Sequence, residues 1–452
     1  MIVETVASPG LAQLSYFVAD AESGLAAVID PRRDINIYRE LADRHGVRIV
    51  YSIETHVHAD FVSGSRELAA AFGAEVIGGP TDAYQFPVRT VRSGDAIALG
   101  NVRLEALETP GHTPEHIAML LRPTPESAPT AMCSGDFLFA DEVGRPDLLG
   151  TESAEPLARQ LYRSIHEVIA PLPDDLEILP GHGAGSPCGS QIGTRPTTTL
   201  GHERRNNPKL APMPEAAFVA MVLGDLPLAP SYYPRMKRIN AEGPPLLAGL
   251  STPVPVTPAE VLYRQSFGTL VLDTRELEPF AEGHVPGALS IADRSDFPIW
   301  AGWMIDPLAD VVLVTEDSTR TDAVVRALQS VGLDRTVGVL AGDMDAWRAA
   351  GLSTGRLRRV ATMSESCQRL DVRSARESAA LPVPGAQHVY VPHVGTAETS
   401  MNASTPICVI CGSGYRATIA ASRLLQLGFR DVAVLAGGLN AAETSDCPRS
   451  QP

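Results

Sequence analysis

RIVYSIETHVHADF, Arg48 to Phe61, is a β-like apolar run that ends in two histidines and an aspartate. Three more residues of metal-ligand type stand where other apolar runs stop: His112 in ETPGHTPEH, Asp136 in MCSGDFLF and His182 in ILPGHGAG. Strands that end together deliver their last side chains to one edge of a sheet, where residues distant in sequence converge on a rigid scaffold and can hold a metal. Any one of these histidines alone reads as a surface or satisfied core residue, but four separately spaced motifs do not agree by accident.

Outward from this stretch, the runs LAAVID, AEVIGG and VRLEALETP alternate with helical stretches such as Val62 to Phe72, which Gly73 closes. Residues 1–250 therefore read as one layered α/β domain. Gly243 to Pro258, GPPLLAGLSTPVPVTP, is rich in proline and glycine without apolar periodicity and reads as a linker. Beyond it the chain repeats itself just under 100 residues on. LDTRELEPFAEGHVPGA, Leu272 to Ala288, aligns without gaps with LDVRSARESAALPVPGA, Leu370 to Ala386; VVLVTEDSTR aligns with ICVICGSGYR, and VLAGDMDAW with VLAGGLNAA. Two related small α/β domains are expected at 256–353 and 360–449. A chain of 452 residues is too long for one core, and roughly 150 residues per domain agrees with three.

Hydrophobic residues make up 44% and charged residues 20%, values ordinary for globular α/β proteins, and no apolar run approaches the ~18 residues a membrane span needs. MIVETVASPG has neither a basic n-region nor a long apolar h-region, so a cytoplasmic address is expected. Six cysteines are too few for a disulfide scaffold and fit reduced thiols. A net charge of −16 repels nucleic acid and anionic membrane surfaces, so neither is expected as a partner. Assembly into a homo-oligomer is expected, of a size the sequence does not set.

The ligand motifs resemble the metallo-β-lactamase superfamily, and within it the glyoxalase II-like branch that includes the persulfide dioxygenases, over the whole first domain. The resemblance implies an αββα sandwich. In two-metal members the first motif ends H-x-H-x-D-H, and its last histidine binds the second metal; here that position is Phe61, which has no lone pair to donate. A second site would keep only Asp60, Asp136 and His182 and should be weak or empty, which disfavours two-metal hydrolysis. In persulfide dioxygenases the iron ligands are the residues that match His56, His112 and Asp136 here. Two histidines and a carboxylate are a ligand set of non-haem Fe(II) oxygenases, leaving positions open for dioxygen and a thiolate-like sulfur. One Fe(II) per chain is expected, with His58, Asp60 and His182 orienting ligands or metal-bound water. Zinc held by His56, His58, His112 and Asp136 stays open. GRPDLLG, Gly144 to Gly150, and GSPCGSQIG, Gly185 to Gly193, match the same subgroup. Arg145 and the basic cluster GHERRNNPK, with Arg204, Arg205 and Lys209, are candidates for pairing with acid groups of a low-molecular-weight persulfide, although such a cluster also reads as a solvated face. Cys188, six residues after His182 in a Gly/Ser-rich loop, is expected to be exposed and able to receive sulfur near the metal, or else is an inert small residue.

Cys411 opens CGSGYR between the apolar run PICVI and the helical pattern ATIAASRLLQLGF. Glycines 412 and 414 let backbone amides turn toward the sulfur, the following helix adds the positive end of its dipole, and Arg416 adds a formal charge, all of which favour a thiolate or a cysteine persulfide. The loop looks like that of a rhodanese, a resemblance the rest of the repeat shares. Phosphatase loops are one residue longer and usually carry a histidine where Ile410 stands. Cys408 alternates inward and reads as core. In the first repeat Thr315 takes the cysteine position and Arg320 the arginine position; a hydroxyl carries no sulfane sulfur, and Glu316 and Asp317 repel an anionic one, so this copy should be silent. WAGWMID, Trp300 to Asp306, offers aromatic surface for packing against a neighbouring domain.

The expected function joins these readings. A low-molecular-weight thiol persulfide, O2 and water give thiol and sulfite at the iron, as a step of sulfide detoxification, and Cys411 moves sulfane sulfur, giving thiosulfate when sulfite accepts it. The rival is a glyoxalase II-like thioester hydrolase with the repeats as binding or sensing modules.

Overall fold

The computed structural model describes residues 1–224, 226–364, 366–395 and 401–445, so residues 446–449 of the third expected domain lie outside the described residues. Packing divides the chain into two compact units, Met1–Leu250 with Arg326–Gly332, and Ser251–Val325 with the residues from Leu333 on.

In the first unit the strands Ile2–Ala7, Leu14–Asp20, Leu25–Ile29, Arg48–Ile53, Glu75–Gly78 and Arg89–Thr90 form one six-stranded sheet in chain order. The second sheet runs in reverse chain order through Thr198–Thr199, Glu177–Pro180, Ala131–Gly135, Ile117–Arg122, Val102–Glu108 and Ala96–Leu99. Side chains alternate across each strand. Val18, Ile29, Ile53 and Ile77 of the first sheet therefore meet Leu104, Ile117, Met119 and Leu121 of the second in one dry layer. Their neighbours face outward: Phe17, Ala19 and Val28 pack on Tyr38 and Leu41 of the helix Asn36–His45 and on Leu68 of the helix Ser65–Phe72. Ala118, Leu120 and Met132 pack on Leu161 of the helix Thr151–Arg163 and Phe218 of the helix Glu215–Gly224. Two sheets, each covered by helices, give the α/β αββα sandwich. The helix expected from Val62 begins at Ser65, because Ser63 is held outside it by Asn240 Oδ1 at 2.9 Å and caps Ser65 N–H at 3.1 Å. Gly73 closes it in the left-handed region, φ 67°.

The second unit holds two five-stranded parallel sheets of identical strand order. One runs Val254–Val256, Thr336–Leu340, Val311–Val314, Leu270–Asp273, Leu289–Ser290, and the other Arg358–Val360, Val432–Leu435, Ile407–Ile410, Gln368–Asp371, Ala386–His388. Part of the expected linker is thus an edge strand, where Pro255 lacks only a donor the edge does not need. The repeat extends to side-chain geometry: Asp273 accepts Arg275 at 2.9 and 2.7 Å, and Asp371 accepts Arg373 at the same distances. Trp300 and Trp303 of the first repeat stand edge-on to Tyr390 of the second at 6.3 and 6.1 Å. No helix among the described residues is long and apolar enough to cross a membrane.

Candidate metal centre and sulfur-transfer loop

His56 follows the strand Arg48–Ile53, His112 lies between the strands Val102–Glu108 and Ile117–Arg122, and Asp136 follows Ala131–Gly135. Asp136 Oδ2 lies 3.9 Å from His56 Nε2 and 3.6 Å from His112 Nε2, with all three residues buried. None of the three atoms has a hydrogen-bond partner. An orphaned buried polar atom costs roughly 1–3 kcal/mol, so three that converge fit a cation bound among them.

Their neighbours fix the donor atoms. His112 Nδ1–H donates to the Arg145 carbonyl at 2.9 Å, and His56 Nδ1 meets Thr55 Oγ1 at 2.9 Å, whose hydroxyl donates to Asp30 at 2.8 Å. Each ring is left with its Nε2 lone pair inward. Burial, with the other histidines for His56, holds both imidazoles below their usual range and so neutral. Burial opposes ionisation of Asp136, but the charge and hydrogen bond of His182 outweigh it and hold the carboxyl below its usual range. His182 itself bridges Asp136 and Asp60 at 2.7 Å each; burial works against its charge, and the two carboxylates push its pKa up to about 10.

His58 Nε2 hydrogen-bonds Asp30 at 3.0 Å and lies 3.1 Å from a Glu54 carboxylate oxygen; burial opposes its protonation and Asp30 overrides it, while Nδ1 has no partner. The ring of Phe61 lies 4.4 Å from that of His58 and is fully buried, so hydrocarbon fills this side of the chamber. Two glycines permit the crowding. A Cβ on Gly135, φ +51°, would fall 2.5 Å from Thr55 Oγ1, and one on Gly181 2.5 Å from Asp136 Oδ1.

Several expectations need correction. Cys188 is buried, not exposed, because its loop folds inward: Arg145 N–H donates to its carbonyl at 3.1 Å, and its sulfur lies 4.0 Å from the Tyr233 hydroxyl. Its sulfur groups with ligand atoms of Asp60 and His182 within 4.8 Å, and burial, then Asp60 and Asp136, push the thiol well up, which keeps it protonated. The Arg145 guanidinium is not open to a substrate acid. It is enclosed by Asp147 at 2.7 and 2.8 Å and by the carbonyls of Pro187 and Pro227, and Arg145 serves the centre through its backbone. Arg204 clamps the turn at 169–174 through Asp174 and the carbonyls of Ile169, Ala170 and Leu172, and Lys209 pairs with Glu142. Arg205 is the exposed member, 3.6 Å from Asp174. Sequence reasoning missed His116, whose Nε2 accepts Asp136 N–H at 3.1 Å and whose ring stacks on His56 at 5.2 Å, and Asp30, which ends LAAVID at φ 51°. The signal for His116 was its place four residues after His112.

In the second unit Cys411 lies between the strand Ile407–Ile410 and the helix Tyr415–Gln426, and its Sγ accepts Gly414 N–H at 3.1 Å and Ala417 N–H at 3.4 Å. Gly414 takes φ 92° to turn its amide inward. Arg416 is not a lone charge beside the sulfur, as it forms a bidentate pair with Glu377 at 2.6 Å for both bonds. Tyr415 Oη donates to Ala292 of the first repeat at 3.0 Å, and Arg294 lies 5.1 Å over its ring. Thr315 is buried with its hydroxyl unpartnered, and Arg320 pairs with Asp293. Cys408 packs with Ile410 and Leu435.

Residues 8–182 match the metallo-beta-lactamase superfamily, and residues 257–350 and 358–444 each match the rhodanese-like domain. Over 188 residues the chain is 30% identical to the mitochondrial persulfide dioxygenase of Homo sapiens, covering 40% of this chain and 68% of that one. It is 34% identical over 169 residues to the hydroxyacylglutathione hydrolase of Rhodospirillum rubrum, covering 37% and 60%. A crystal structure of a metallo-beta-lactamase from Staphylococcus aureus superposes with a TM-score of 0.67 at 33% identity, over 75% of this chain and 98% of the other. The chain thus belongs to the metallo-β-lactamase superfamily and carries two rhodanese-like domains behind that fold.

Proposed function

We propose that the chain is a persulfide dioxygenase with its own sulfurtransferase centre. It converts R–SSH, O2 and H2O to R–SH, sulfite and two protons, and transfers sulfane sulfur from a Cys411 persulfide to sulfite as thiosulfate. The carrying observation is the trio of unpartnered atoms on His56, His112 and Asp136 beside a chamber wall closed by Phe61. Fe(II) held by those three residues would supply open positions for dioxygen and a sulfur anion. The chain's residues prepare them: the Arg145 carbonyl and Thr55 set the histidine tautomers, and His182, steadied by Asp60, keeps Asp136 ionised. Cys188, enclosed beside Asp60 and His182 and kept protonated, lines the chamber and is given no step in this reading. At the other centre the amides of Gly414 and Ala417 hold the Cys411 sulfur, and Glu377 steadies Arg416.

Metal analysis and oxygen uptake test this reading together. One iron per chain and oxygen consumption with a panel of thiol persulfides are expected; two tightly bound zinc ions with no oxygen uptake would falsify it. The second reading, a thioester hydrolase of the hydroxyacylglutathione type, is favoured by the free Nδ1 of His58 and the cluster of Asp60, His182 and Cys188. It predicts hydrolysis of acyl-thiol esters by the zinc-loaded protein.

A further inference from the structure

The helix Tyr233–Glu242 lies along the metal chamber through one face. Tyr233 sets its hydroxyl 4.0 Å from Cys188 Sγ; seven residues on, Asn240 donates to the carbonyls of His58 at 2.9 Å and Phe61 at 2.7 Å and accepts Ser63 N–H. Residues spaced i, i+4 and i+7 share a helix face, so Lys237 lies between these two anchors. Electrostatics place it there too: its charge disfavours protonation of His56 and His112, and Glu115 and Cys188 act in turn upon it. Lys237 is partly buried and, among the described residues, forms no hydrogen bond or ion pair. Glu115, the carboxylate acting most on it, is itself buried and engaged by Val57 N–H at 2.9 Å.

An ammonium drawn partly out of water and left without a partner favours the arrival of something anionic beside it. The candidate ligands are two neutral imidazoles and one carboxylate already held by His182, so they leave that role open. We infer that Lys237 is the anion-binding residue of the metal chamber, holding the negatively charged sulfur species that passes through it, R–SS⁻ on entry and sulfite on exit. This rests on the persulfide-oxidising reading, and a single rotatable ammonium suits a small anion that presents no planar pair of oxygens for an arginine fork.

The test uses the full chain in parallel with Lys237→Met and Lys237→Arg. Metal-free protein is titrated with sulfite by calorimetry, and iron-loaded protein is assayed for oxygen uptake. The parent binds sulfite, Lys237→Met weakens that binding about tenfold or more, and Lys237→Arg restores most of it, as expected for one charge-assisted contact. In turnover Lys237→Met raises KM for the persulfide by a similar factor while kcat moves little. Sulfite binding that is absent in the parent, or unchanged in Lys237→Met, overturns the inference. So does a KM effect confined to persulfides whose carrier bears a carboxylate, since Lys237 then grips the carrier and not the sulfur. If Lys237→Met does not fold, Lys237→Gln takes its place, and the parent titration still decides. Should sulfite binding depend on Lys237 while no persulfide drives oxygen uptake, the anion site stands and the enzymatic reading falls. Normal oxygen uptake with a Lys237→Met protein equal to the parent in KM and sulfite binding removes the anion site and leaves the enzymatic reading standing.

Discussion

His56 and His112 present the same ring nitrogen to the same oxygen because their other nitrogens are already occupied, one by a hydroxyl and one by a carbonyl. Cys411 is prepared by different means, two backbone amides that only a positive-φ glycine and a helix start can aim at one sulfur. Centres built so differently should be separable by substitution. Cys411→Ser keeps the size and the loop hydrogen bonds but forms no persulfide, so it should abolish thiosulfate formation and leave persulfide-dependent oxygen uptake in place, with sulfite accumulating. With sulfite supplied, His56→Ala should do the converse, forming thiosulfate from the persulfide without oxygen uptake. Product analysis checks both, and loss of oxygen uptake in Cys411→Ser would mean that Cys411 presents substrate to the metal. At this scale the sequence made legible which residues meet, since His56, His112, Asp136 and His182 stand beyond strand ends and converge. It was not legible where the role depends on what folds over the residue. Cys188 sits in a polar loop yet is enclosed, Arg145 carries a charge that is wholly used internally, and the partners of His58 are Asp30 and Glu54, one of them just past the end of a different strand.

Among the elements, the strand Arg48–Ile53 has two duties: Ile53 packs in the layer between the sheets, and three residues later His56 turns into the metal chamber. Truncating Ile53 should disturb both. Ile53→Ala is expected to cost about 2–5 kcal/mol by the loss of buried methylenes and the cavity left behind. Because the strand end then has room to shift, metal affinity should fall as well, whereas Glu4→Ala on the edge strand Ile2–Ala7 should change neither appreciably. Thermal unfolding of the metal-free protein and competition with a chelator measure the two effects separately. The layered fold was legible from alternation, since Val18 and Ile29 against Phe17 and Val28 already sort into two faces. The edge strand Val254–Val256 was hidden because two prolines flank and interrupt it, and the pairing that makes it a strand comes from residues 338–340, far along the chain.

For the whole chain, duplication explains why the two halves of the second unit share one fold although only the second carries a cysteine at the loop position. Both repeats keep the strand order and the aspartate–arginine pair, while Thr315 stands in the first where the second has Cys411. Thr315→Ala removes only a hydroxyl that makes no hydrogen bond, so both activities should stay within a few-fold of the parent; a large loss of thiosulfate formation in folded protein would give the Thr315 loop a direct part. If both proposed centres turn over, joining them in one chain sets an effective concentration between them that depends on the length and stiffness of the chain that joins them. The bond from Tyr415 Oη to the Ala292 carbonyl, with Arg294 over the same ring, has a practical corollary for anyone who wishes to express the Cys411 domain by itself. Tyr415 belongs to the reactive loop itself, so a fragment cut at the seam between the repeats would carry its nucleophile away with one wall of the loop unmoored. The piece to express is therefore the pair of repeats together, with the Thr315 copy retained as the scaffold against which the Cys411 copy is held.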